Sequence, residues 1–88
     1  MNEIKVLVPK YIPEDGFTIN WADNAEVEVK VEGRDVLIFG NQAGLTSLAE
    51  LLLNLSQVEV PKGHHIHLDS YNSLDEGSNS MIIGKKIE

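Results

Sequence analysis

The chain has 88 residues, 42% hydrophobic and 24% charged, which gives room for one domain (1–88) and is too apolar for a disordered segment. Fourteen acids against seven bases give a net charge of −7, a surface that repels a phosphate backbone and so disfavours nucleic-acid binding. Without cysteine, a disulfide framework, a thiolate zinc site and an iron–sulfur cluster are all excluded.

In chain order, the first expected strand is Ile4–Val8, where Ile4, Val6 and Val8 share one face at period two. Pro9, Pro13 and Glu14-Asp15-Gly16 end it in a turn. Phe17, Ile19 and Trp21 alternate with Thr18 and Asn20 and predict a second strand, with Trp21 placed toward the core. After the Asp23-Asn24 turn, Val27, Val29 and Val31 alternate with Glu26, Glu28, Lys30 and Glu32, a strand with one buried and one wet face. Gly33-Arg34-Asp35 turns the chain back into Val36–Phe39 and completes a hairpin.

Asn41 is placed to cap a helix over about 43–57. Its expected buried stripe is Leu45, Leu48, Ala49, Leu52, Leu55 and Ser56, widened by Leu51 and Leu53. Val60-Pro61-Lys62-Gly63 stops it. His64–Asp69 predicts a fifth strand, Ser70–Ser78 a polar loop, and Met81–Ile87 a last strand with Gly84 as a bulge. The expected fold is α+β in two layers, one helix packed across a largely antiparallel sheet of five to six strands.

The densest polar constellation is His64-His65-Ile66-His67-Leu68-Asp69. On a strand, His65, His67 and Asp69 share one face. Two imidazoles two residues apart can converge on a zinc ion, with Asp69 as third ligand, which makes a small metal-binding protein or metal-dependent hydrolase the alternative reading. The spacing is similar to the His-x-His-x-Asp-His start of metallo-β-lactamase-like hydrolases, but Ser70 replaces the final histidine and the chain is too short for that fold. The blander reading is a solvent-facing pair of histidines that contacts a partner. Asp75 and Glu76, near Tyr71 and Asn72, extend that surface, because aromatics with acids bind arginine and lysine. No nucleophile elbow, P-loop lysine or dinucleotide glycine spacing is present. The chain is therefore expected to be non-enzymatic and to need no cofactor or metal. Partner contact is expected through His65, His67, Asp69, Tyr71, Asn72, Asp75 and Glu76.

Gly40-Asn41, Gly44-Leu45, Ser47-Leu48-Ala49 and Leu52-Leu53 form one block of a longer pattern. Val60-Pro61, Gly63, His65-Ile66-His67-Leu68-Asp69, Asn72, Leu74 and Glu76-Gly77-Ser78, ending at Ile82-Ile83, form the second. Together, over about 36–87, they resemble the immunity-protein family numbered 32 of bacterial polymorphic toxin systems; residues 1–35 carry no matching motif. The resemblance implies a small cytoplasmic α+β protein, encoded beside a secreted toxin, that neutralises this toxin by binding it. It does not say which toxin activity is blocked; a basic nuclease domain would suit the acidic charge. No apolar run approaches the about 20 residues of a membrane span, and Asn2-Glu3-Ile4-Lys5 is unlike a secretory signal.

Overall fold

Two valines with no exposed surface to spare define the centre of the molecule. In the computed structural model, which describes residues 1–16 and 19–87, Val27 and Val29 are 0% and 2% exposed. They lie on β1 (Val27–Glu32), which pairs antiparallel with β2 (Asp35–Gly40) in the register Val27–Gly40, Val29–Ile38, Val31–Val36. The hairpin expected from the valine alternation is present. Its two-residue loop puts Gly33 at φ 59°, with Arg34 outside the left-handed region, the pattern of a type II′ turn whose twist suits the strands.

The helix α1 spans Gln42–Leu55. Asn41 caps it, its Oδ1 accepting from the Gly44 N–H at 2.7 Å and from the Glu26 N–H at 2.9 Å. Its Nδ2 donates to the Asn24 carbonyl at 2.9 Å. One side chain thus ties the helix start to the entry of β1.

The buried face of α1 is rotated from the expected one. Gly44, Ser47, Leu51, Asn54 and Leu55 are buried, whereas Leu45, Leu52 and Leu53 are 43–49% exposed. The cause lies at Gly44, where the helix comes so near β1 that a Cβ would meet the Glu26 carbonyl oxygen. The polar residues on that face are satisfied, as burial demands: Ser47 Oγ accepts from the Ala22 N–H, and Asn54 Nδ2 donates to the Glu50 carbonyl.

A second antiparallel pair joins β3 (His65–Leu68) to β4 (Met81–Gly84), with Ile66 opposite Ile83 and Leu68 opposite Met81. Beyond the ladder the hairpin continues through Gly63 N–H to the Lys85 carbonyl and Lys85 N–H to the His64 carbonyl. Gly84 keeps plain register, so it is not a bulge; a Cβ there would lie 3.0 Å from that of His65. Lys85 Nζ reaches the carbonyls of Gln57 and Val60 just past the helix, a cation placed where carbonyls are left over.

The fold is α+β, but the expected single sheet of five to six strands is not formed. The described residues hold two two-stranded antiparallel sheets and one α-helix, which share a core of Val27, Val29, Leu51, Leu55, Val60, Ile66, Leu68 and Leu74. Ile4–Val8 is not a strand: Ile4 and Leu7 are more than two-thirds exposed, and no strand among the described residues offers them a ladder. The N-terminal segment is held instead by Gln57, whose side-chain amide accepts from the Tyr11 N–H and donates to the Pro9 carbonyl, both at 3.0 Å. A 3₁₀ turn, Pro13–Asp15, follows. Of the expected Phe17–Trp21 strand, Phe17 and Thr18 lie outside the described residues and 19–21 are irregular. Trp21 is half-buried and packs against the core.

Candidate functional site

Strand β3 carries two histidines outward because its alternation is strict: Ile66 and Leu68 go into the core, and His65 and His67 remain exposed. The imidazole centroids are 5.1 Å apart at 58°. His65 Nδ1 lies 3.0 Å from the Gly63 carbonyl. A carbonyl only accepts, so Nδ1 carries the proton and Nε2 faces away from the backbone. Cross-strand register adds Ile82, 62% exposed, directly opposite His67. The outward strip is therefore two imidazoles beside an aliphatic side chain.

Asp69 does not continue that strip. The chain turns immediately after β3, and Asp69 Oδ1 accepts from the backbone N–H groups of Tyr71 (2.9 Å) and Asn72 (3.1 Å). Asn72 closes the same turn from the other side, its Oδ1 accepting from the Asp69 N–H and its Nδ2 donating to the His67 carbonyl, both at 3.0 Å. The Asp69 carbonyl accepts further from the Ser73 and Leu74 N–H groups. Such Asx bonding is what aspartate and asparagine supply at turns. The three-ligand set of His65, His67 and Asp69 is therefore not assembled. Among the described residues no group of three or more His, Asp or Glu side chains is placed to hold a metal ion.

The turn presents Tyr71, whose side chain is 98% exposed. Leu74, 5% exposed, anchors the far end of the turn in the core. Past it, Asp75 is half-buried and Glu76 exposed, in a segment that runs along the edge of β1 opposite β2. Asp75 N–H donates to the Val27 carbonyl and Asn79 N–H to the Val29 carbonyl, each at 2.8 Å, while Ser78 Oγ accepts from the Val29 N–H at 3.2 Å. Lys30 Nζ donates to the Gly77 carbonyl at 2.7 Å. Of the seven expected contact residues, His65, His67, Tyr71, Asn72 and Glu76 are exposed and Asp69 and Asp75 are half-buried; the side chains of Asp69 and Asn72 are engaged in building the turn.

Sequence reasoning did not reach Trp21 as part of this surroundings. Its ring, with Ile19, His67, Asn72 and Ser73, lines a recess of about 230 Å³. On its other side, with Gln42, Thr46 and Glu50, it borders a shallower one of about 620 Å³. The buried Trp21 Nε1 has no acceptor among the described residues. The one signal in the sequence was the indole itself, a large apolar ring with a donor that needs a partner when buried.

No described helix is long and apolar enough to cross a membrane. A family model described as immunity protein 32 matches residues 35–86, from the second strand of the first hairpin through the last strand. No curated protein and no solved structure matched the chain.

Proposed function

The chain belongs to the immunity protein 32 family, and on that premise we propose that it binds a cognate bacterial toxin domain in the cytoplasm and neutralises it by holding it, with no reaction, cofactor or metal of its own. The observation that carries this reading is the family match over residues 35–86. The net charge of −7 supports a basic partner, which such a field attracts and steers. A nuclease domain with a cationic substrate groove has that chemistry, and an acidic protein seated over the groove keeps nucleic acid out. The contact surface in this reading is the outward face of β3 with the loop that follows. His65, His67 and Tyr71 supply rings, Glu76 and Asp75 supply acids, and Asp69 with Asn72 holds the turn that presents Tyr71.

The experiment is a binding titration against the toxin domain encoded beside the gene, at low and moderate salt, with and without chelator. Tight binding that weakens with salt and ignores chelator is expected. No binding, or binding that requires a metal ion, overturns the reading.

A further inference from the structure

Among the described residues, strand β1 has both edges occupied and β2 has one. In an antiparallel ladder, opposed residues alternate between bonded and non-bonded pairs. The Asn41 N–H donates to the Glu26 carbonyl, which fixes Glu26–Asn41 as a bonded rung at one end of the hairpin. Counting by twos, Glu28–Phe39, Lys30–Leu37 and Glu32–Asp35 are bonded and the valine rungs are not. The carbonyls of Val27 and Val29 accordingly face away from β2, where Asp75 and Asn79 meet them. The same alternation points the backbone groups of Val36, Ile38 and Gly40 to the far side of β2. Among the described residues no hydrogen bond reaches those groups.

Apart from Asp35 at its first position, nothing on β2 discourages an incoming strand. It has no lysine, proline or bulge, the devices that blunt natural edges. Val36, Ile38 and Phe39 are 62%, 41% and 64% exposed. The bonded rungs share one face of the hairpin, so Phe39 stands opposite Glu28 on the face that also carries Glu26, Glu32 and Asp35. Lys30, on that face, is already drawn to the Gly77 carbonyl.

We infer that the outer edge of β2 is a second docking surface, and that its occupant is an extended, cationic segment of the toxin domain added as a further antiparallel strand. Main-chain bonds to Val36, Ile38 and Gly40 supply the pairing, apolar side chains of the segment cover Phe39 or Ile38, and its lysines and arginines meet the four carboxylates. A second copy of this chain is the wrong occupant by charge, because pairing about a two-fold axis sets those carboxylates beside their own counterparts. This inference rests on the immunity reading but concerns a different surface from the histidine face.

The test is hydrogen exchange on the full chain, free and bound to the toxin domain encoded beside the gene. The amides of Val36, Ile38 and Gly40 should exchange rapidly in the free protein and become protected in the complex, while those of Leu37 and Phe39 are protected in both. Ile38→Pro removes an outward N–H and no rung of the hairpin; Phe39→Lys sets a cation against the cationic segment. Each variant that keeps the wild-type melting temperature should bind the toxin about tenfold or more weakly. A complex in which the outward amides stay unprotected, or wild-type affinity in both folded variants, overturns this inference alone. Protection that appears without toxin and rises with protein concentration assigns the edge to a second copy and overturns it too. Absence of any complex with the wild-type chain overturns the immunity reading, and this inference with it.

Discussion

The backbone of Gly44 lies against the carbonyl of Glu26 so closely that a Cβ added to the glycine would stand 2.2 Å from the oxygen and 2.8 Å from Val27 Cγ2. Neither neighbour is the loose end of a flexible chain. The Glu26 carbonyl is fixed by the Asn41 N–H, and Val27 is fully buried. Gly44→Ala must therefore lift the helix from β1, at a cost of about 1–3 kcal/mol despite alanine's better helix propensity. Thermal unfolding should show a drop of about 4–8 °C for each kcal/mol lost in a domain this small. An unchanged melting temperature would mean that the close approach is not made.

Removing the cap tests the same junction from the other side. Asn41→Ala loses the bonds to the Gly44 and Glu26 N–H groups and the bond to the Asn24 carbonyl. A single cap is worth about 1–2 kcal/mol, and here the strand entry loosens as well. Urea denaturation should give a lower midpoint with the slope unchanged. A shift below the error of the measurement would show that water replaces all three contacts.

The phase of the helix can be read by truncating adjacent leucines. Leu51 is 1% exposed and Leu52 is 45% exposed. Leu51→Ala should cost about 2–5 kcal/mol and Leu52→Ala less than about 1 kcal/mol. Equal losses would return the buried stripe to the one that leucine spacing alone suggests.

Stability and contact should separate within the turn after β3. Asp69→Ala and Asn72→Ala remove bonds that close the turn and should lower the melting temperature by a few degrees. Tyr71→Ala removes a side chain that is 98% exposed and should leave melting unchanged. Joined to His65→Ala and His67→Ala, it should weaken toxin binding about tenfold or more. Unaltered affinity in that triple variant would remove this surface from the interface.

Metal should be irrelevant to the folded protein. Asp69 is turned into its own loop, and two exposed imidazoles make a weak site at most. Calorimetry should find no stoichiometric zinc binding at sub-micromolar affinity, and chelator should leave the unfolding curve in place. A melting temperature that rises with stoichiometric zinc would revive the metal site.

The first hairpin was legible because Val27, Val29 and Val31 alternate with charges and Gly33 supplies the φ the turn requires. The helix was legible from Asn41, and the outward histidines from period two. The face of the helix was not. Six leucines are spread around it, and the burial of Ser47 depends on a partner at Ala22 that no local pattern reveals. Ile4–Val8 has the alternation of a strand, but a strand is made by the edge it meets; no described strand meets this one, and Gln57 holds the chain only beyond it, at Pro9 and Tyr11. Asp69 follows the alternation of β3 by one residue too many, beyond the point where the chain bends.

The bond from Val29 to Ser78 spans 49 positions of the chain. At a synthesis rate of about 5–20 residues per second, roughly 2 to 10 s separate the appearance of β1 from that of the segment that closes its edge. For that interval a growing chain carries its first hairpin open on both sides. Protection against a toxin would then be measured in finished chains, and a transcript cut short before residue 75 would contribute none.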